Sequence, residues 1–362
     1  MKKTQWIALG LALTLICGAC QLPVEPGIEP AGEPTCQPSR QTVVVYGFSV
    51  QEEVLTEEIL PAFQAQWCEQ KGQQVTFQSV FTGSEEIADA IIGGARADVA
   101  ILSNEQHAVW LRINDWIETD WHTLPHSGTM SRSPIVIAVR PGNPLGIEDW
   151  ADLTRPGVKV VHPDPNTSGG AQWALLAEYG ASALRTSGSR ETACGQLCDI
   201  WANVVVTPPS SREALREFLF GTGDALVTYE QDVLLAQARG ATLEVVAPPS
   251  TFMSEHSVVI VDRNVRPWER EVVEAFVDFL WSEEAQRALT CYYFRSVTDE
   301  ALNEAVSEFN TIERPFTVQD LGGWGRVYPE IIHGAWEEHL PSRISTSGSP
   351  LGNPNAIETS SE

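Results

Sequence analysis

The stretch 164–173, with the sequence DPNTSGGAQW, has residue types and spacing that suit the binding of an oxyanion. It follows a short apolar run at 158–161 and precedes a predicted helix at 171–179. The first amides of a helix have no partner inside the helix, and the helix dipole favours negative charge there. Gly169 and Gly170 allow close approach of the backbone, and the Ser168 hydroxyl adds a donor. The stretch supplies no base and no set of metal ligands beside the serine, so it predicts binding of an anion without its chemical conversion.

The same residue types have a simpler use. Serine and glycine are common where a helix begins, because they cap its free amide groups. Helix capping alone is therefore the alternative interpretation of residues 167–170, and the surrounding elements have to decide between the two.

Those elements alternate between strands and helices. A continuous apolar run at 42–46 predicts a buried strand, and a helix predicted over 50–71 places Leu55, Ile59, Phe63 and Trp67 on one face. Further strands are predicted at 75–80, 97–102, 134–139, 158–161, 224–229 and 257–261, and further helices at 85–92, 267–280 and 283–289. This β-α-β-α-β order predicts an α/β fold with a mostly parallel sheet.

Composition excludes several classes of partner. The chain has 362 residues and a formal net charge of −25, with lysine at only four positions. A surface this acidic repels nucleic acid and anionic lipid, so no nucleic-acid partner is expected. Length alone favours two domains of ordinary size.

The N-terminus predicts export. Lys2 and Lys3 precede an apolar segment at 6–16 that is too short to span a bilayer, and the segment ends in the sequence CGAC. We expect a lipoprotein signal peptide over 1–19 and lipidation of Cys20, with ordinary secretory cleavage as the alternative. Residues 20–41 are predicted to form a disordered tether, and residues 344–362 a disordered tail.

An exported protein can form disulfides. Cys36, Cys68, Cys194, Cys198 and Cys291 remain after the signal peptide and the lipidated residue are set aside. A Cys36–Cys68 pair is one expectation, Cys194 and Cys198 are spaced for a local loop, and the sequence leaves the connectivity of the five cysteines open. A metal site at the second pair is less favoured because no further ligand pair accompanies it. The histidine pair at 122 and 126 is likewise interpreted as structural, and no metal or cofactor is expected.

Several segments resemble the bacterial sulfate/thiosulfate-binding proteins, the extracytoplasmic receptors of ABC importers. The resemblance runs from about residue 42 to residue 340, and its most specific part is the stretch 164–173. The other matching segments are 83–84, 97–99, 140–144, 147–150, 155–157, 223–224, 292–293, 316–320 and 322–324.

The resemblance implies a two-lobed type 2 periplasmic-binding-protein fold with the ligand between the lobes. Each lobe would be a mostly parallel sheet flanked by helices, and two crossing strands near 133–139 and 256–261 would join them. Residues 42–132 plus 257–343 would form lobe 1, and residues 133–256 would form lobe 2. Tyr229 and Ser49 are similar to residues of the related molybdate receptors.

Carried over by position, the resemblance implies the following ligand-binding residues: Ser168, Gly169, Gly170, Ser84, Tyr229, Ser49 and Ser211. Three departures from the family pattern concern the ligand. Asn166 and Gln172 stand where the family usually has Lys and Arg, Tyr229 stands in place of Trp, and the segment 47–49 differs from the family's Tyr-Asp-Pro. Tyr229 as a plain strand aromatic, and Ser49 and Ser84 as caps, remain alternatives.

The sequence therefore predicts a lipid-anchored receptor on the extracytoplasmic face of the cell membrane, monomeric and without enzymatic activity. It would bind sulfate or thiosulfate and pass the ion to ABC-transporter permease subunits. A molybdate or tungstate receptor of the same fold is the first alternative. An exported hydrolase is the second, although the chain has neither a G-x-S-x-G nor an H-E-x-x-H motif.

Overall fold

A computed structural model describes residues 36–185 and 189–339. The strands are β1 (Thr42–Phe48), β2 (Thr76–Thr82), β3 (Val99–Leu102), β4 (Thr129–Val139), β5 (Val160–Val161), β6 (Val204–Val206), β7 (Ala225–Tyr229), β8 (Glu244–Val246), β9 (Ser250–Ile260) and β10 (Arg314–Phe316). The α-helices are α1 (Glu52–Val54), α2 (Leu60–Lys71), α3 (Ser84–Ile92), α4 (Glu105–Ile113), α5 (Gly169–Arg185), α6 (Arg190–Trp201), α7 (Ser211–Leu219), α8 (Glu230–Ala238), α9 (Arg270–Phe279), α10 (Glu283–Cys291), α11 (Glu300–Glu304) and α12 (Trp324–Val327). Short 3-10 segments occur at Ser49–Gln51, Trp121–Thr123, Pro125–Gly128, Trp150–Thr154 and Gln319–Leu321, and π-helical segments at Leu55–Ile59 and Tyr328–His339.

The predicted parallel sheet is confirmed. β1 pairs in parallel with β2 and with β3, and β5 pairs in parallel with β6 and with β7. The predicted helical stripe is also confirmed, because Leu55, Ile59, Phe63 and Trp67 are all buried in the core beside β1. Six α-helices were not predicted from the sequence, namely α4, α6, α7, α8, α11 and α12. The helix predicted from residue 171 begins earlier, at Gly169, and runs on to Arg185.

Two long antiparallel strands join the two parallel groups. The first half of β4 pairs with β9, from Thr129 opposite Ser257 to Pro134 opposite Met253. The second half of β4 pairs with β7 and β8, whereas the last residues of β9 pair with β3. The resulting strand order is β2-β1-β3-β9-β4-β7-β5-β6. β4 and β9 are thus the elements that connect one parallel group to the other.

The loops that leave the carboxyl ends of the parallel strands carry the candidate residues. Ser49 follows β1, Ser84 follows β2, and Ser168 to Gly170 follow β5. Ser211 follows β6 and Tyr229 ends β7. In open α/β sheets ligands bind outside the carboxyl ends of the strands, so the topology gathers these residues where a ligand would bind.

The predicted Cys36–Cys68 disulfide is present, with the two Cα atoms 5.6 Å apart. It corrects the extent of the tether predicted over 20–41. Cys36 is bonded to α2, and Gln37 forms a β-bridge with Gln73, so residues 36–41 are held to the folded domain. Residues 1–35, with the predicted signal peptide and Cys20, and the tail at 344–362 lie outside the described residues.

The loop expected between Cys194 and Cys198 is not a disulfide. Both residues are thiols on successive turns of α6, and both are half-buried. In the part of the chain that the structure describes, no helix is both long enough and apolar enough to cross a bilayer.

Candidate functional site

The N-termini of three helices meet at the candidate site. A Cβ atom on Gly83, which caps α3, would lie 2.2 Å from the carbonyl oxygen of Thr167, in the loop before α5. A Cβ atom on Gly170 would lie 2.3 Å from the Ser211 hydroxyl, in the first turn of α7. Side chains at these two glycines would force the segments apart, so glycine is required by the close approach. The positive ends of three helix dipoles therefore converge on one place.

Ser103, at the end of β3, connects the two parallel groups. Its amide donates to Ser84 Oγ over 2.9 Å, and its own hydroxyl lies 2.8 Å from the hydroxyl of Tyr229. Its carbonyl accepts the indole N–H of Trp173 on α5 over 2.8 Å. A single serine thus contacts the first turn of α3, the end of β7 and α5, the helix that begins within the stretch 164–173, which we call the anion loop.

Ser84 is not a helix cap in this structure. Gly83 is the capping residue, whereas the Ser84 hydroxyl lies 2.8 Å from Nδ1 of His107 on α4. Burial lowers the pKa of His107 to about 3, so its imidazole is neutral at physiological pH. The His107 ring also borders the anion loop, because its Cε1 would lie 3.0 Å from a Cβ on Gly169.

The loop at 167–170 contains a helix-capping contact and also first-turn amides that have no acceptor within the helix. The Ser168 hydroxyl accepts the amide of Ala171 over 3.3 Å, which is a helix-capping contact. The Ser168 carbonyl accepts the amides of Ala171 and Gln172. The amides of Gly169 and Gly170, as the first residues of α5, have no acceptor within the helix and remain available for an anion.

Tyr229 is a buried phenol among aromatic rings. Its ring centroid lies 6.0 Å from that of Phe48 and 5.6 Å from that of His256. Burial raises the pKa of Tyr229, so the hydroxyl keeps its proton and its capacity to donate. Ser49 directly follows Phe48 and is buried in the 3-10 turn that leaves β1, beside the start of α7.

The carboxylates in the first turn of α3 are already engaged. Glu86 accepts from the Thr82 hydroxyl and from the Gly83 amide, and Glu85 accepts from Gln172 Nε2 over 2.6 Å. Gln172 also accepts from Asn104 Nδ2 over 3.0 Å, so this amide bridges α3, α4 and α5. Both carboxylates keep their charge, but each already accepts hydrogen bonds: Glu86 caps α3 and Glu85 holds the side-chain amide of Gln172.

At positions 166 and 172, where the family usually has Lys and Arg, the side chains present here are neutral and bond to neighbouring carboxylates. Asn166 is exposed and bonds to Asp164 Oδ1 over 2.7 Å, and Gln172 forms the bridge to Glu85. The nearest arginine on α7, Arg212, directs its guanidinium to Glu53 Oε2 at 2.6 Å and to buried Asp232 at 3.0 Å. The donors that face the anion loop are therefore neutral amides and hydroxyls.

The structure gathers six of the seven predicted residues into one cluster that Ser103 and His107 link, and Ser49 borders the cluster through Phe48 and α7. Sequence reasoning missed Ser103 and His107. A signal for Ser103 was present, since it directly follows the buried strand at 97–102. His107 offered none, because its position depends on how α4 packs against α3 and α5.

His122, expected to be structural, bonds to Glu105 and Asp120 at the surface, and the described residues contain no group of three or more histidine, cysteine, aspartate or glutamate side chains suited to a metal. A cavity of about 230 Å³ lies near Arg185 and Arg314, and none of the seven candidate residues lines it.

Comparison with known proteins matches residues 43–295 to the family model described as bacterial extracellular solute-binding protein. A sulfate-binding protein of Synechococcus elongatus is 35% identical over 313 residues, which cover 85% of this chain and 88% of that protein. A thiosulfate-binding protein of Escherichia coli is 32% identical over 275 residues, covering 74% of this chain and 81% of that protein. The solved structure of the sulfate-binding protein SubI from Mycobacterium tuberculosis superposes with a TM-score of 0.74 at 28% identity, covering 80% of this chain and 99% of that one.

Proposed function

This chain belongs to the bacterial extracellular solute-binding proteins, and from that premise we propose that it binds sulfate or thiosulfate for delivery to an ABC importer. The observation that carries the proposal is the convergence of three helix N-termini at Gly83, Gly169 and Ser211. Anions bind at helix N-termini because free amides and the helix dipole both favour negative charge there.

The ligand-binding set that we assign consists of hydroxyls and first-turn amides: Ser168, Gly169, Gly170, Ser84, Tyr229, Ser49 and Ser211. Sulfate is fully ionised and offers only acceptors, which such donors suit. A hydrogen bond to a charged group contributes about 1.5–3 kcal/mol, so about six of them, less desolvation and closure, are consistent with micromolar affinity. In this proposal neutral dipoles hold the anion, because Asn166 and Gln172 bring no cation.

Two lobes would close on the ion. We assign residues 42–132 plus 257–343 to lobe 1 and residues 133–256 to lobe 2, with β4 and β9 as the crossing strands. Contacts between Ser103 and Tyr229, Glu85 and Gln172, and Glu53 and Arg212 would then span the cleft. Hinge closure around a ligand is a common motion of such two-lobed proteins.

Anchoring and partners complete the proposal. Lipidation of Cys20 after removal of residues 1–19 would hold the receptor on the extracytoplasmic face of the cell membrane. There the closed, anion-loaded form would engage the permease subunits as a monomer.

The hydrolase alternative has one feature in its favour, the Ser84–His107 pair at 2.8 Å. A serine nucleophile needs a base whose pKa is near the working pH. Burial lowers the pKa of His107 to about 3, which makes it a poor base. Binding without turnover is therefore the better-supported function.

Calorimetric titration with sulfate, thiosulfate, molybdate, tungstate and phosphate tests the proposal directly. We expect sulfate or thiosulfate to bind with micromolar affinity, and molybdate or tungstate to bind more weakly. Tighter binding of molybdate would favour the alternative receptor, and the absence of binding by all five ions would overturn anion transport altogether.

A Ser84→Ala variant separates binding from catalysis. It should weaken anion affinity while the protein stays folded, whereas a hydrolase with Ser84 as its nucleophile would lose turnover entirely. Small-angle X-ray scattering should show a smaller radius of gyration when the ion is added, and an unchanged radius would contradict closure of the lobes.

A further inference from the structure

His107 occupies a position that the proposed ligand set does not use. It is completely buried in α4, with Nδ1 at 2.8 Å from Ser84 Oγ and Cε1 against Gly169 of the anion loop. It therefore contacts one proposed donor, Ser84, directly and borders a second, Gly169.

The single hydrogen of the Ser84 hydroxyl has two possible destinations. Ser84 Oγ already accepts the Ser103 amide at 2.9 Å. If Nδ1 of His107 carries a hydrogen, it donates to Ser84, and the serine hydrogen is free for an anion. If Nδ1 is bare, the serine donates to the imidazole, and Ser84 presents only a lone pair to the ligand. The tautomer of His107 thus decides whether Ser84 donates or accepts.

The neighbouring groups favour one tautomer of His107, and a bound anion would favour the other. Nε2 of His107 is buried without a hydrogen-bond partner among the described residues and lies 3.9 Å from Glu85 Oε2, which favours a hydrogen on Nε2. An ionised ligand beside Ser84 would favour the other tautomer, because it needs the serine hydrogen. Because burial lowers the pKa of His107, its ring is neutral and carries a hydrogen on only one of its two nitrogens in either case.

We propose that His107 is a positioning residue that lets Ser84 act as donor or acceptor, so that the site accepts hydrogen phosphate as well as sulfate. In a site made of donors alone, the hydrogen of hydrogen phosphate finds no acceptor and is left unpaired. Here the oxygen of Ser84 would accept a hydrogen bond from the ion, while the serine hydroxyl donates a hydrogen bond to the bare Nδ1 of His107 and no proton is transferred. The inference rests on the proposed function, because it assumes that the ion binds beside Ser84.

Calorimetry on the whole protein at mildly alkaline pH, where phosphate is a hydrogen phosphate dianion, provides the first test. We expect the unaltered protein to bind both ions, and His107→Leu to lose affinity for phosphate on the order of tenfold more than for sulfate. His122→Leu, at an exposed histidine away from the loop, should leave the ratio of the two affinities unchanged. An unchanged ratio in folded His107→Leu would overturn the inference.

Nitrogen-15 NMR of the unaltered protein supplies a readout that needs no variant. The His107 resonances should indicate a hydrogen on Nδ1 when sulfate is bound and on Nε2 when hydrogen phosphate is bound. The same tautomer in both complexes, or binding of sulfate with no binding of phosphate, would contradict the role of His107. Binding of neither ion would instead overturn the proposed function.

Discussion

The hydroxyl groups of Ser103 and Tyr229 lie 2.8 Å apart, although 126 residues separate them in the chain. Ser103 directly follows β3 and Tyr229 is the last residue of β7. These two strands belong to different parallel groups of the sheet. The contact therefore joins the carboxyl ends of both groups at the proposed anion site.

This contact should be measurable as an energetic coupling. Ser103→Ala and Tyr229→Phe each remove one hydroxyl, and the double variant removes both. We expect a coupling energy of about 1 kcal/mol in the free energy of sulfate binding, as for one buried hydrogen bond that forms when the lobes close. Calorimetric titration of the four proteins with sulfate measures it. Strict additivity of the two single effects would show that the contact is not formed in the sulfate-bound protein.

Gly170 should tolerate no side chain. A Cβ there would lie 2.3 Å from Ser211 Oγ and 2.8 Å from Cε2 of Tyr229. Since overpacking costs about 1–3 kcal/mol, Gly170→Ala should weaken sulfate binding by about tenfold or more, as measured by calorimetry.

Gly195 provides the matched control for that substitution. It lies in α6, and a Cβ there meets no atom within 4 Å. Gly195→Ala should leave sulfate affinity unchanged and raise the free energy of unfolding by about 0.5–1 kcal/mol. Equal loss of affinity in both variants would mean that the close approach at Gly170 is not what binding requires.

The ion pair of Arg212 and Glu53 should favour the closed form. The guanidinium lies 2.6 Å from Glu53 Oε2, and both side chains are mostly buried. Glu53→Gln leaves Arg212 its contact with Asp232 but removes the charge that faces it across the proposed cleft. We expect sulfate to dissociate about 5- to 30-fold faster in stopped-flow measurements, which corresponds to about 1–2 kcal/mol.

A surface pair serves as the comparison for Glu53. Glu283 and Arg287 form an exposed pair one turn apart on α10, and such pairs contribute little. Glu283→Gln should not change the dissociation rate. If Glu53→Gln behaves in the same way, the Arg212 pair has no role in closure.

Glu178 should make stability depend on pH. It is buried in α5, 3.6 Å from Nε2 of His162, and burial raises its pKa from 4.5 to about 8. Burial also lowers the pKa of His162 to about 4, so both groups are neutral at pH 7. Between pH 4.5 and about 8 the folded protein keeps a proton on Glu178 that the unfolded chain releases. Stability conferred by the protonated group is therefore lost as pH rises through that window.

Glu178→Gln tests this dependence because an amide does not titrate. The variant should be more stable than the unaltered protein by roughly 3 kcal/mol at pH 7, and by roughly 1 kcal/mol or less at pH 5. Denaturant unfolding at several pH values measures the difference, and Glu69→Gln on the exposed face of α2 should show no such trend. A difference that does not vary with pH would mean that Glu178 ionises normally in the folded protein.

The sequence by itself determined the features that depend on neighbours along the chain. The loop at 167–170 could be identified because helix N-termini expose amides wherever serine and glycine precede a helix. The strand at 42–46 followed from a continuous apolar run and the strand at 97–102 from a mostly apolar one, and the alternation of strands with helices implied a parallel sheet. A Cys36–Cys68 pair was one expectation from the sequence. The sequence also assigned residues 36–41 to a disordered tether, and only the fold shows that they are held to the domain.

The tertiary structure decided which of these local features meet. Ser103 connects to Tyr229, and His107 to Ser84, across separations of 126 and 23 residues that no local pattern encodes. In the sequence, Gln172 was notable only because it stands where the family usually has a cationic residue. In the fold its side-chain amide bonds to both Glu85 and Asn104. The physical reason is that a hydroxyl or an imidazole is a donor or an acceptor according to its spatial partners, and packing between distant elements sets those partners.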